Sequence, residues 1–248
     1  MHIPISPLDK HQTFSFSCSP EVRCFNACCR DLNQALTPFD VLCLTQFLNM
    51  PSGEFLEMYA EASIGPQTGL PVVSLRFRAA DDLACPFVTD AGCRVYPARP
   101  ASCRTYPLAR GVSRNQQTGR LTEHWALIRE PHCRGFECGR RQTVSQWVAD
   151  QQLATHNRIN DMMLDPIGLK KRHRPGPLTP TEQKRIYTAL YDLDAFRKEF
   201  FSSGDAVALN SDPETLERAR TENLDLLILA MQWVRITVLG DTGEGSRK

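Results

Sequence analysis

Cys18-Ser19-Pro20-Glu21-Val22-Arg23-Cys24-Phe25-Asn26-Ala27-Cys28-Cys29 is the stretch on which the reading of this chain turns. It places four cysteines within twelve residues, two of them adjacent. Cα atoms joined by a trans peptide lie about 3.8 Å apart, closer than the roughly 4.4–6.8 Å of a relaxed disulfide. The vicinal pair therefore makes a poor disulfide, and thiolates converging on a soft metal centre suit the spacing better. Cys85, Cys93, Cys103, Cys133 and Cys138 follow, Cys43 stands apart from the rest, and all ten cysteines precede residue 139. The two main segments read C-x5-C-x3-C-C and C-x7-C-x9-C. Neither is the paired C-x2-C of zinc ribbons or the C-x2-C-x2-C run of ferredoxins, so spacing alone leaves zinc and iron–sulfur open.

Outward from this knuckle, the composition bounds the answer. The chain has 248 residues, 42% of them hydrophobic, enough to bury a core without cysteine staples. A net charge of +1 argues against a general nucleic-acid or membrane-surface binder. The first ten residues, Met1 to Lys10, hold no apolar run of signal-peptide length. No stretch reaches the 18 or so apolar residues of a membrane span. The expected location is the cytoplasm, where thiols stay reduced and a cysteine-rich pattern reads as metal-binding or catalytic. A secreted disulfide framework is the competing reading, and the vicinal pair and the missing signal weigh against it.

Phe14 to Phe16 reads as a short strand before the knuckle. Thr37-Pro38-Phe39-Asp40 is a helix start, with Thr as N-cap and Pro at the first helical position. This helix should end near Met50-Pro51, and Ser52 should cap a second. The pair is expected to form a hairpin covering the knuckle. Val73, Leu75 and Phe77 alternate with Ser74 and Arg76 as in a strand. Residues 85–107 are rich in turns, and 106–129 reads as a hairpin with its loop at 116–119. Thr143-Val-Ser-Gln146 resembles a capping box opening a helix that runs past Met162 to a stop at Asp165-Pro166. Lys170 to Pro177 reads as a solvated basic linker. Thr179-Pro180-Thr-Glu182 caps a helix reaching Phe200, and Asp212-Pro213 starts a last helix through Val234. The tail from Gly240 to Lys248 is expected to be disordered.

Cys29 and Cys85 are 56 positions apart. Closing such a loop costs roughly 3–4 kcal/mol plus a constant, whereas a structural thiolate–metal site supplies on the order of 10–16 kcal/mol. One centre ligated from both segments would hold the N-terminal half together; two neighbouring sites are the alternative. The nine cysteines other than Cys43 are one more than two four-cysteine sites need.

The knuckle, Pro38-Phe-Asp40, Ser52-Gly-Glu-Phe55-Leu, Cys85-Pro-Phe, Gly92-Cys93-Arg-Val-Tyr96, Arg99-Pro100 and Cys103-Arg104-Thr-Tyr-Pro107 together resemble the CxxCxxCC cysteine-cluster family, also called YkgJ-type. The resemblance covers about residues 14–165. One departure is the first interval, C-x5-C-x3-CC here against the C-x2-C-x2-CC of the family's name. It implies a zinc- or iron-chelating domain, and it picks out Cys133 rather than Cys138. The implied ligands are Cys18, Cys24, Cys28, Cys29, Cys85, Cys93, Cys103 and Cys133. The family also includes flagellin lysine N-methylases, associated with an iron–sulfur cluster and S-adenosylmethionine.

Among the remaining residues, Cys43 sits on an apolar helical face and reads as a core thiol. His124 and His132 read as surface groups or neighbours of the ligands. Arg99 and Arg104 either anchor the cysteine loop or hold an anionic group, and the anchoring role is expected. Trp125, Trp147 and Trp233 read as core, and Asp40 as a first-turn helix acid.

The expected fold is α+β and mostly helical. An irregular cysteine-rich metal-binding domain with little strand takes residues 1–168, and a helical C-terminal region takes 169–248. The expected function is to hold an iron–sulfur cluster, of the 4Fe-4S kind, or zinc. The cluster leads because so many thiolates exceed one zinc site. Beside it stand an S-adenosylmethionine-dependent protein lysine N-methylase acting on a protein substrate, and a zinc-stabilised interaction module without catalysis. No Gly-rich nucleotide loop supports the methylase. Neither nucleic acid nor a membrane is expected as a partner.

Overall fold

The computed structural model describes residues 4–115, 117–209 and 211–241. It is α+β and mostly helical, with 47% helix against 18% strand. The strands are β1 (Ile5–Leu8), β2 (Thr13–Ser15), β3 (Ala35–Leu36), β4 (Ala60–Ile64), β5 (Pro71–Leu75), β6 (Val88–Thr89), β7 (Gly92–Cys93), β8 (Leu108–Arg114), β9 (Leu121–Ile128) and β10 (Arg141–Thr143). The helices are α1 (Pro38–Leu48), α2 (Ser52–Tyr59), α3 (Ala101–Thr105), α4 (Val144–Asp150), α5 (Leu153–Met162), α6 (Leu164–His173), α7 (Pro180–Tyr191), α8 (Leu193–Ser203), α9 (Asp205–Ala208), α10 (Pro213–Thr221) and α11 (Asn223–Trp233). Two compact units interleave along the chain. The first takes residues up to Gln34 and Phe77–Asn157, the second Ala35–Arg76 and the chain from Arg158. No helix among the described residues is long and apolar enough to cross a membrane.

In the first unit, β1, β9 and β8 form an antiparallel sheet in that order, with Ile5 opposite Ile128 and Leu108 opposite Leu127. The expected hairpin at 106–129 is its β8–β9 arm. β2 pairs with β10, Phe14 opposite Gln142. The core gathers Phe14, Phe16, Leu108, Trp125, Leu127 and Val144. Successive strand side chains point to opposite faces, so Trp125 and Leu127 go inward together. Tyr106 and Cys133 pack on the rim of this core.

In the second unit, β3, β5 and β4 form a small antiparallel sheet in that order. Pro71, Val73 and Leu75 alternate inward along β5, as their period-two pattern predicts. Strand character ends at Leu75, two residues before Phe77. Helix α1 packs on α2, α7 and α11, and α2 on α8. The hairpin expected to cover the knuckle thus seats its apolar face on helices of its own unit. Leu44, Phe55, Ile186, Phe200, Leu226 and Leu227 are almost fully buried there.

Capping chemistry was the best guide to helix starts. Thr37 with Asp40, Thr143 with Gln146 and Thr179 with Glu182 each form a reciprocal capping box. Other boundaries differ from expectation. Ser52 is not a cap: Pro51 holds that position, and the Ser52 hydroxyl donates to Asp192 at 2.7 Å and lies 3.0 Å from Asp194. The helix from Thr143 breaks at Gln152, whose φ of 55° leaves the helical region. Pro166 does not stop a helix but sits in the first turn of α6, where its missing N–H costs nothing. Residues 170–173 continue α6 rather than form a linker. Lys170 is buried, and its ammonium donates to the carbonyls of Arg174 at 2.5 Å and Gly176 at 2.7 Å. The helix expected to reach Phe200 is divided at Asp192, whose carboxylate caps α8 through the Ala195 N–H. The last helix is divided at Glu222 and ends in a π-helical turn, Val234–Val238. Of the tail expected to be disordered, 242–248 lies outside the described residues; Asp241 pairs with Arg235 at 2.9 Å.

The Glu182 carboxylate accepts the Thr179 N–H at 2.8 Å and pairs with Arg174 at 2.7 Å. The backbone bond first, then Arg174, hold its pKa down at about 2, below an ordinary 4.5. A depressed carboxyl contributes stability above its unfolded pKa and loses it as pH falls through the folded one. Glu182→Gln should therefore cost roughly 0.5–1 kcal/mol at neutral pH. The gap from the parent should close between about pH 4.5 and 2, read by urea denaturation at each pH. A gap unchanged at pH 2 would contradict this.

Candidate metal centre

Residues 18–29 form a chain of tight turns. Val22, Phe25 and Ala27 donate backbone N–H groups to the carbonyls of Ser19, Val22 and Cys24 respectively, at 2.8–3.0 Å. Asn26 is left-handed at φ 65°, and the knuckle ends in a 3-10 turn, Ala27–Cys29. Val22, buried, roots it.

Two segments dock on this knuckle from different parts of the sequence. On one side, the Ser17 N–H donates to the Gly135 carbonyl at 2.9 Å, and the Arg134 N–H donates to the Cys24 sulfur at 3.0 Å. A Cβ at Gly135 would stand 2.5 Å from the Ser17 carbonyl oxygen, so only glycine permits this approach. On the other side, Cys85 donates its N–H to the Cys29 carbonyl at 2.8 Å, and Asp31 donates to Leu83 at 2.9 Å. Asn26 reaches the Thr89 carbonyl at 2.9 Å. Gly92, at φ 115°, turns the β6–β7 hairpin over Phe25.

Cys18, Cys24, Cys28 and Cys133 line one small cavity together with Tyr106 and His132. The cavity has about 10 Å³ of open space, room for roughly one water-sized occupant. None of the cysteines is in a disulfide. Cys18 is exposed as a residue, but its sulfur faces this cavity; burial there, then Cys28, Cys24 and Cys133, push its pKa up to about 11. Burial also raises Cys133, with Cys24 adding to it. Burial raises Cys85 and Cys93 as well. Within the vicinal pair the Cys29 thiol donates to the Cys28 sulfur, which lowers Cys28 and raises Cys29. Cys85 and Cys103 stand close enough to Cys29 to raise it further.

Among the described residues, no three His, Cys, Asp or Glu side chains stand ready-made as a metal-ligating group. The donor chemistry nevertheless fits a thiophilic cation. Burial disfavours the Cys18, Cys85, Cys93 and Cys133 thiolates, and a cation among them reverses that effect. The Tyr106 hydroxyl gives a second sign. It is buried and finds no partner of good geometry, although Cys133 and Glu130 stand beside it. A buried orphan donor costs about 1–3 kcal/mol; a metal-bound Cys133 thiolate would accept from it.

Sequence reasoning missed Tyr106 as a partner of the thiols and did not foresee the backbone N–H of Arg134. Its only sequence signal was the position of Tyr106 three residues after Cys103. His132 lines the cavity, with its Nε2 3.6 Å from the Glu130 carboxylate. His124 instead meets the Ser113 hydroxyl at 2.8 Å on the β8–β9 hairpin. Cys138 is exposed, its sulfur 3.9 Å from the Arg134 carbonyl. Cys43 lies on α1 in the second unit, half-buried.

Arg99 and Arg104 tie the cysteine loop to its own backbone. Arg104 is buried; its Nε donates to Arg99 at 3.0 Å, Nη1 to Gln151 at 3.1 Å and Nη2 to Pro97, all at carbonyl oxygens. Arg99 lies over the Tyr96 ring at 3.7 Å, donates to the Tyr96 carbonyl at 2.7 Å and bonds the Gln151 side chain. Such charge-assisted bonds are each worth about 1.5–3 kcal/mol. Arg104→Ala should therefore cost about 3 kcal/mol or more of unfolding free energy by urea denaturation. Arg104→Lys should rescue little, because one ammonium cannot serve three divergent carbonyls. Full stability in the alanine variant would rule out this anchoring role.

Searches of curated proteins and of solved structures find no match to the chain. A family profile does match, over residues 17–134, the span holding the knuckle, both docking segments and Cys133. The profile is that of the CxxCxxCC family, described as a putative zinc- or iron-chelating domain, and residues 17–134 are similar to it.

Proposed function

We propose that this protein is a thiolate metalloprotein that binds zinc through Cys18, Cys24, Cys28, Cys29, Cys85, Cys93, Cys103 and Cys133. The observation that carries the reading is the cavity lined by four cysteines beside the orphan Tyr106 hydroxyl. The four thiols that line it match in number the four ligands of a closed zinc site. Zinc in an all-cysteine site is tetrahedral and closed, so it supplies folding energy rather than a reactive position. The chain's own groups do the rest. Arg134 N–H stabilises the Cys24 sulfur, the Tyr106 hydroxyl would donate to a metal-bound Cys133 thiolate, and Arg99 and Arg104 hold the loop that carries Cys103.

The test is elemental analysis of anaerobically purified protein, with its absorption spectrum. The expected result is zinc and no visible colour. Brown protein containing iron and sulfide would replace zinc with a cluster. Cys133→Ser should lower the metal content, because a serine hydroxyl is hard and largely protonated. Cys43→Ala should keep the full content, at a cost of about 1–2 kcal/mol in stability. Metal loss in the Cys43 variant alone would overturn this division of the cysteines. Because binding displaces thiol protons, zinc affinity should also rise with pH.

A further inference from the structure

The vicinal pair sits where the two docking segments meet the knuckle, and its two members face different company. Cys28 lines the cavity with Cys18, Cys24 and Cys133. Cys29 does not line it. Its carbonyl instead receives the Cys85 N–H at 2.8 Å, and Arg30 bridges Ala84 next in line. Cys85 is tied back into the β6–β7 hairpin by the Val88 N–H to its carbonyl at 3.0 Å, and Val88 is opposite Cys93. Gln34, five residues beyond Cys29, takes the Cys103 sulfur at 3.6 Å on its side-chain oxygen and donates to the Ser102 hydroxyl. Cys29 thus adjoins the segment that carries Cys85 and Cys93, and Gln34 ties the stretch beyond it to Cys103.

Resting on the metal-binding reading, we infer that the domain holds two separate four-thiolate zinc centres, divided by the vicinal pair. Cys18, Cys24, Cys28 and Cys133 serve the first, and Cys29, Cys85, Cys93 and Cys103 the second. The division accounts for several observations at once. Of the adjacent pair only Cys28 lines the cavity, while Cys29, whose thiol also reaches the Cys28 sulfur, meets the Cys85 segment. Each set is complete at four, the number a closed zinc site takes. Each also draws on a different docking segment, so each centre closes a different loop of the chain. Cys138, the ninth cysteine of this half, belongs to neither set.

Metal stoichiometry tests the division. The parent protein should carry two zinc ions per chain by elemental analysis. Cys18→Ser with Cys133→Ser should leave one, and Cys93→Ser with Cys103→Ser should leave one. One ion in the parent would overturn the two-centre proposal while the metal-binding reading stood. No metal in the parent would remove that reading itself. Two ions in the parent but none in either double variant would mean one bridged centre, and would also overturn the proposal. If a double variant fails to fold, the parent alone still decides. Cobalt(II) added to the metal-stripped full chain should develop thiolate charge-transfer absorption up to two equivalents. Alkylation during that titration should show cysteines becoming protected in these two groups of four. A break at one equivalent, or protection that mixes the groups, would sink the proposal.

Discussion

The hydrogen bond from the Cys85 N–H to the Cys29 carbonyl, 2.8 Å long, is the contact on which the cysteine-bearing unit most depends. It joins segments far apart in sequence, and the Ser17–Gly135 bond does the same on the opposite side of the knuckle. Between them these backbone contacts dock the segments that carry Cys85 and Cys133 on the knuckle. Backbone groups can do this because they are neutral. The sulfurs alone cannot, since each new thiolate in a half-buried cluster repels the others.

That opposition shapes the whole unit. Its apolar core is small, built on Phe14, Phe16, Trp125 and a few aliphatic partners, and Cys133 and Tyr106 sit on its rim. Much of the remaining chain between 77 and 107 is turns, short hairpin and 3-10 helix. Such irregular backbone buries little apolar area, so polar anchors matter more. Arg104 supplies three donors to the carbonyls of Arg99, Gln151 and Pro97, and Gly135 and Gly92 allow the close approaches. A cation among the thiols would add the favourable term that the core does not supply.

The second unit is governed by different physics. Leu44, Phe55, Ile186, Leu226 and Leu227 are buried at helix crossings, and the small β3–β5–β4 sheet joins them. Here stability comes from apolar burial in regular elements. Charged groups act at the helix ends: Lys170 closes the C-terminus of α6, while Asp192 caps α8 and accepts from the Ser52 hydroxyl.

Sequence alone determined what is local. The capping boxes at Thr37, Thr143 and Thr179 were legible because cap and partner lie three residues apart. The alternation in β5 and the β8–β9 hairpin were legible for the same reason. The family resemblance was equally readable, being carried by short motifs. The positions at which long apolar periodicities break were not. Asp192 and Glu222 look like polar residues on a helix surface until a second helix packs back and uses the break. Ser52 looked like a cap because its partners, Asp192 and Asp194, lie 140 residues away. The same limit governed the cysteines. Spacing announced a thiolate site, but C-x5-C-x3-C-C does not say which sulfurs share a neighbourhood. Tertiary structure decided that for Cys18, Cys24, Cys28 and Cys133, by docking a distant segment on the knuckle through backbone hydrogen bonds that no residue pattern records.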